Sequence, residues 1–360
     1  MPTKSQELES GEVSFGDLLS ENALYQVPLY QRNYVWGEGQ IEELWKDIDE
    51  LLEGTAEVRF LGALVFQLAE SGNARKPTKY IIIDGQQRVT TMFLLATAMA
   101  SIAQEQGYAE LSKSMATGYL LSDKRQTSDE PKLIPAFPDY KQFNEVLSFL
   151  ENPKPSLRKP FGKDTGNLAD AFLILCEGVR ERTQRISEQL SSEAETLEGE
   201  ISEKALMKFE EVLTEGIQFI EITLDERHDP NEVFHRLNTA GLPLDVADLV
   251  RNEVFRRIQD ELDEADKIYH QDWIQFETSL GEFHNRYFWP FALAENPSTT
   301  RSRMFKDLQN KWEKNTHGME GPAAAQSIIK DLNKYVASYL AVAANARPRD
   351  ISGDAWDSLT

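Results

Sequence analysis

KYIIIDGQQRVTTMFLLATAMA, residues 79–100, sets a short β-branched run against a long apolar one, with Asp84-Gly85-Gln86-Gln87-Arg88 between them. Residues 80–83 read as a central strand. Residues 89–103 are apolar on most sides and read as a buried helix beginning near Arg88 or Val89. A strand that runs straight into a helix exposes the helix's first N–H groups, which lack internal partners and carry the positive end of the dipole. That is a natural seat for a phosphate. Gly85 allows the backbone to approach a ligand closely. Arg88 can grip phosphate oxygens in bidentate fashion, and Thr90 and Thr91 add hydroxyls in the first turn. Asp84 can hold Mg²⁺ or orient a water. Gln86 and Gln87 can position a water or read a base edge. The plainer alternative is that Asp84 caps the helix and Arg88 neutralises it, which leaves two adjacent glutamines unexplained. The G-x-x-x-x-G-K-[ST] phosphate loop is absent.

Upstream, residues 60–68 are apolar without alternation, as in a strand covered on both faces. Ile41, Leu44, Trp45, Ile48, Leu51 and Leu52 fall at helical spacing and stop at Gly54, a C-cap. Residues 24–36 read as extended, because Pro28 resists helix. Downstream, 122–139 and 152–167 are rich in Pro, Lys, Asp and Ser and read as loops. Helices are expected over 168–190 and 202–214, and a strand over 217–224 that returns to the front of the chain. The remainder reads as helical: 231–237, 246–258, several pieces up to Trp312, and 323–344. The expectation is an α+β protein, with a small α/β core in residues 1–122 and a larger, mainly helical region in 123–360. Residues 217–252 are expected to complete the site.

Composition narrows the choice of function. The 360 residues carry a net charge of -22, which argues against a chain that coats nucleic acid non-specifically but leaves room for a local basic groove. Nine glutamates against Lys204 and Lys208 over 188–215 read as a solvated helical face. A hydrophobic content of 41% suffices for a core. Cys176, the single cysteine, sits in an apolar stretch and reads as a structural thiol. No run approaches the roughly 18 apolar residues of a membrane span, and the polar N-terminus lacks a signal-peptide core. A cytoplasmic protein with no membrane partner is expected.

Two further stretches carry chemistry. In VPLYQRNYVW, 27–36, Tyr30, Tyr34 and Trp36 alternate with Gln31 and Arg32. Aromatics beside an arginine suit base stacking and phosphate contact, although Tyr34 and Trp36 equally suit a core. In VFHRLNTAGLPLDVADLVRN, 233–252, Asn238 and Gly241 shape a turn and Asp245 suits an N-cap. Asp248, Arg251 and Asn252 share a helix face, since offsets of three and four are neighbours. They are candidates to complete the site or support Arg88.

Taken together and in this order, the three stretches resemble the signature of the GmrSD-type N-terminal domain family of modification-dependent restriction and phage-defence proteins. The resemblance implies a ParB/sulfiredoxin-like nucleotide-binding core in which Gly85-Gln86-Gln87-Arg88 holds nucleotide phosphates. It implies hydrolysis of a nucleoside triphosphate, GTP or UTP, with Mg²⁺, coupled to DNA cleavage. Asp84, Gln86, Gln87 and Arg88 would be catalytic. Gly85, Arg88, Thr90, Thr91, Asn238, Asp248, Arg251 and Asn252 would bind the nucleotide. Tyr30, Gln31 and Arg32 would sense modified double-stranded DNA. A phosphorothioate is the modification an apolar, aromatic-lined pocket would favour, because its sulfur is softer and less hydrated than oxygen. Many family members carry a C-terminal His-Asn-His-type nuclease domain. Here the five histidines are scattered without metal-ligand spacing, so that nuclease is expected on a further domain or a separate partner. Assembly into a homo-oligomer stays open, as does a regulatory module that binds without hydrolysing.

Overall fold

The computed structural model describes residues 9–28, 31–73, 76–122, 130–136, 139–150, 167–193, 198–224, 246–258 and 261–343. The fold is α+β. Its contacts divide the chain into two compact units, Met1–Pro28 with Arg32–Leu237, and Leu29–Gln31 with Asn238–Thr360.

The first unit is built on a six-stranded mixed sheet. Along the chain come β1 (Glu9–Ser14), α1 (Phe15–Ser20), β2 (Ala23–Gln26), α2 (Glu38–Leu52), β3 (Arg59–Glu70), β4 (Thr78–Asp84) and α3 (Gln86–Glu105). They are followed by α4 (Ala109–Met115), β5 (Leu121–Ser122), β6 (Glu130–Pro131), β7 (Leu133–Ile134), α5 (Tyr140–Leu147), α6 (Asn167–Glu193), α7 (Glu198–Gly216) and β8 (Ile217–Leu224). The strands lie in the order β1-β8-β3-β4-β2-β7. β3 runs parallel to β8 and antiparallel to β4, while β2 runs parallel to both β4 and β7. The strand expected at 217–224 therefore does return to the front of the chain, between β1 and β3.

Consecutive burial of Leu64, Val65 and Phe66 on β3, and of Ile82 and Ile83 on β4, shows both faces of the sheet covered. Leu64, Phe66 and Ile82 join the main core beneath the helices. Val65, Ile83 and Leu224 form a smaller cluster on the other face. Helix α3 is buried on nearly all sides from Val89 to Ala103, and it packs against α4 and α6. Each fully buried Leu, Met or Phe there contributes about 1.5–3 kcal/mol, which fixes the end of β4 against the start of α3.

Two features depart from the sequence reading. Residues 122–139 are not all loop: Leu133 and Ile134 pair with Tyr25 and Gln26 at the sheet edge. Lys132 anchors them, with its buried ammonium donating to the Leu19 and Gly118 carbonyls at 2.6 and 2.8 Å. Burial pushes the Lys132 pKa down to about 8. In addition, β1 is a polar edge strand paired antiparallel with β8, without the apolar alternation that marks a strand in sequence.

The described part of the second unit is helical, with α8 (Val246–Phe255) leading into a short 3-10 turn, Arg256–Ile258. Its core is aromatic. Trp273, Phe276, Tyr287 and Phe288 are buried, and the Phe276 ring lies 5.4–6.2 Å from the other three. No helix among the described residues is long and apolar enough to cross a membrane.

Candidate functional site: the strand–turn–helix element and the segment beside it

Helix α3 begins at Gln86, two residues earlier than its apolar pattern suggests, because Gly85 serves as the N-cap in the left-handed region, φ 90° and ψ 10°. A side chain there is excluded twice over. The conformation disfavours one, and a Cβ would stand 2.6 Å from Leu64 Cδ2 and 3.3 Å from the Ala63 carbonyl oxygen. The plainer alternative to a ligand seat, Asp84 as the cap, is not what the geometry shows: Asp84 ends β4, opposite Val65, and the cap is Gly85.

Asp84 and Arg88 flank this turn, both half-buried. Neither forms an ion pair among the described residues, and no side-chain hydrogen bond is made there by the Asp84 carboxylate. Arg88 instead lies along β3, with Nη1 donating to the Ala63 carbonyl at 2.9 Å. A cation and an anion four residues apart, each partly shielded from water and without an ion-pair partner among the described residues, have the chemistry to take a charged ligand. Among the described residues no group of three or more His, Cys, Asp or Glu side chains could hold a metal ion. Asp84 would be a lone protein ligand, which fits Mg²⁺ held mainly by phosphate oxygens and water.

The glutamines and Thr91 do something the sequence did not reveal: they dock the Arg32–Trp36 stretch. Gln86 Nε2 donates to the Arg32 carbonyl at 3.2 Å. Gln87, 8% exposed, uses both ends of its amide. Its Nε2 donates to the Asn33 carbonyl at 3.2 Å, and its Oε1 accepts from Val35 N–H at 2.8 Å and Trp36 N–H at 3.4 Å. Thr91 is fully buried and donates to the Gln87 carbonyl at 2.8 Å. Its single proton is thereby spent, so the Tyr34 hydroxyl, 2.7 Å away, donates to Thr91 Oγ1. Asp139 Oδ2 accepts from Tyr34 N–H at 2.6 Å, and Asn167 Nδ2 donates to the Val35 carbonyl at 3.2 Å. A five-residue coil thus satisfies its backbone on side chains from α3, α6 and the approach to α5. Burial pushes the Asp139 carboxyl up to about 6 against the opposing pull of the Tyr34 N–H.

The clamped stretch turns Tyr34 inward, 2% exposed, and Trp36 packs against the core. Arg32, Asn33 and Val35 are left exposed. The two motifs that lie about 50 residues apart in sequence are therefore adjacent. Tyr30 lies outside the described residues. Gln31 is buried, at 6% exposed. Thr90 is buried in the first turn of α3.

From the later motif, Asn238, Gly241 and Asp245 lie outside the described residues. Asp248, Arg251 and Asn252 stand on α8. Asp248 Oδ1 accepts from Arg251 Nη2 at 2.6 Å, Arg251 Nη1 lies 3.7 Å from Glu277, and Asn252 is buried. The shared helix face is thus real, and its charges are neutralised locally.

Sequence reasoning passed over three contributors. Gly62 and the Ala63 carbonyl, which hold Arg88, had a signal: a glycine inside an apolar strand marks a bulge or a close approach. Asp139 had none, since an acid after a proline reads as an ordinary turn residue.

A family model described as "GmrSD restriction endonuclease, N-terminal domain" matches residues 15–255. Comparison with curated proteins finds no significant match. The match spans all of the first unit's sheet except β1, together with α8.

Proposed function

The chain belongs to the GmrSD restriction endonuclease N-terminal domain family, and on that premise we propose that it is the nucleotide-hydrolysing sensor domain of a phage-defence restriction protein. In this reading it hydrolyses a nucleoside triphosphate, GTP or UTP, with Mg²⁺ in response to modified, phosphorothioated DNA, and so controls DNA nicking by an associated nuclease domain. The observation that carries the reading is the unpaired Asp84–Arg88 couple around a glycine-capped helix start. The N–H groups of that start and the Arg88 guanidinium take the phosphates. Asp84 takes Mg²⁺ or the attacking water, and Gln86 stands beside it at the first helical position. Gln87 and Thr91 hold the Arg32–Trp36 stretch, and through it the exposed Arg32 reaches DNA next to the nucleotide.

One observation favours a second reading, a module that binds nucleotide or DNA and relays its state without turnover. The Gln87 amide, one of the two candidates for holding a water, is committed to backbone at both ends.

Phosphate release from each nucleoside triphosphate, with no duplex, plain duplex or phosphorothioated duplex, separates the two. Turnover stimulated by the modified duplex is the expected result. Binding without turnover under all conditions would replace the first reading with the second. Arg32→Ala should flatten the salt dependence of DNA binding by about one unit of slope if one phosphate contact is lost.

A further inference from the structure

Strand β3 carries a glycine in its interior, where glycine weakens a strand. Gly62 has φ 106°. It lies where the register between β3 and β8 shifts, between Phe60 and Ala63, so that β3 accommodates an extra residue. Bulges of this kind re-aim what stands on the strand. The Arg88 guanidinium fills the space where a Gly62 side chain would stand: a Cβ there would meet Arg88 Cζ and Nε at 3.2 Å and Nη2 at 3.4 Å. The next residue ties the guanidinium down, through the 2.9 Å bond from Nη1 to the Ala63 carbonyl. Among the described residues Nε and Nη2 of Arg88 have no hydrogen-bond partner.

We propose that Gly62 is a positioning residue for Arg88: the bare bulge gives the guanidinium plane a fixed bed on β3 and keeps its unused donors for a polyphosphate ligand. This rests on the phosphate seat proposed above. The bulge and the seat are one device, because the residue that needs no side chain on β3 is the one the arginine crosses. A guanidinium on a flexible stem loses less freedom on binding when it is already held flat.

The test is a double-mutant cycle on the full chain, with calorimetric binding of inorganic tripolyphosphate and of GTP beside thermal melts. Gly62→Ala should weaken both ligands about 10-fold, since the methyl displaces the guanidinium. In an Arg88→Ala background the same substitution should change affinity by less than about 2-fold, because nothing remains to displace. The melting temperature should fall by a similar amount in both backgrounds, since the positive φ penalises alanine with or without the arginine. Wild-type affinity in a folded Gly62→Ala, or an equal loss in both backgrounds, would overturn the proposal. Should Gly62→Ala fail to fold, Arg88→Lys carries the test. It keeps the charge but loses the plane, and is expected to bind about as weakly as Arg88→Ala. Wild-type binding by Arg88→Lys would overturn the bed. Wild-type binding by Arg88→Ala would bring down the phosphate seat and, with it, this proposal.

Discussion

The turn at Asp84–Arg88 and the helix α8 both hold acids and arginines three to four residues apart, and they treat them in opposite ways. On α8, Asp248 pairs with Arg251. Glu253, 1% exposed, accepts from Arg256 Nε at 2.8 Å and Nη2 at 2.9 Å, from Arg257 at 2.5 Å and from Gln309 at 3.1 Å. Every charge named there has a local partner, and the arrangement accounts for itself as structure. At the turn, Asp84 and Arg88 are just as close in sequence, yet the left-handed cap at Gly85 separates them and Arg88 is drawn to a strand backbone instead. Paired charges in a helix stabilise a fold, whereas unpaired ones at a preformed helix start invite a ligand. The difference also reweights the candidates: Asp248 and Arg251 are ion-paired with each other, while Asp84 and Arg88 have no ion-pair partner among the described residues.

The sharpest way to break this contrast is to remove the acid at the centre of the paired region. Glu253→Ala leaves Arg257 without its partner and Arg256 with Glu313 alone, and breaking a buried pair by removing one partner costs about 3–5 kcal/mol. Chemical denaturation should show a loss of that order. A loss below about 1 kcal/mol would mean that the pairing does not hold the helix.

Next in size is Gln87→Ala. It removes one acceptor and one donor that serve three backbone groups of the 33–36 stretch. Unsatisfied buried groups cost about 1–3 kcal/mol each, so a stability loss of about 2–3 kcal/mol is expected, with exposure of Tyr34 to solvent. If Gln87 acts on water alone, the melt should be unchanged and only turnover should fall.

The smallest effect is a pH dependence. The Asp139 carboxyl is raised from 3.8 to about 6, so between those values the folded chain binds the proton more tightly than the unfolded one. Stability from this group is greatest below about 4 and declines as pH rises through about 6. Asp139→Asn removes the titration, and should flatten the stability profile across that window relative to wild type. An unchanged profile would place the titration elsewhere.

Much of this was legible in sequence. The strand at 217–224 coincides with β8, because IQFIEITL is dense in β-branched residues and bounded by a glycine. The α3 helix was visible from its apolar length, but its first turn was hidden. Gln86 and Gln87 look like loop residues, and only Gly85 in the left-handed region shows where the helix starts. β7 was invisible because two residues among prolines carry no periodicity, and their pairing depends on Lys132 reaching carbonyls 113 and 14 residues away. In the site, the strand–turn–helix pattern pointed to Asp84, Gly85 and Arg88, because a glycine turn at a helix start beside an arginine suits a phosphate. The roles of Gln87 and Thr91 were not readable, because an amide serves a backbone or a water equally well until the fold brings one of them near.

Titration calorimetry of GTP into wild type and Arg88→Ala, with Mg²⁺ and a melt of each protein, tests the central claim directly. An intact melt with affinity reduced about 10- to 150-fold, the loss of a charge-assisted contact of about 1.5–3 kcal/mol, is the predicted result. Unchanged affinity in a folded Arg88→Ala would contradict it and place the phosphates somewhere other than the start of α3.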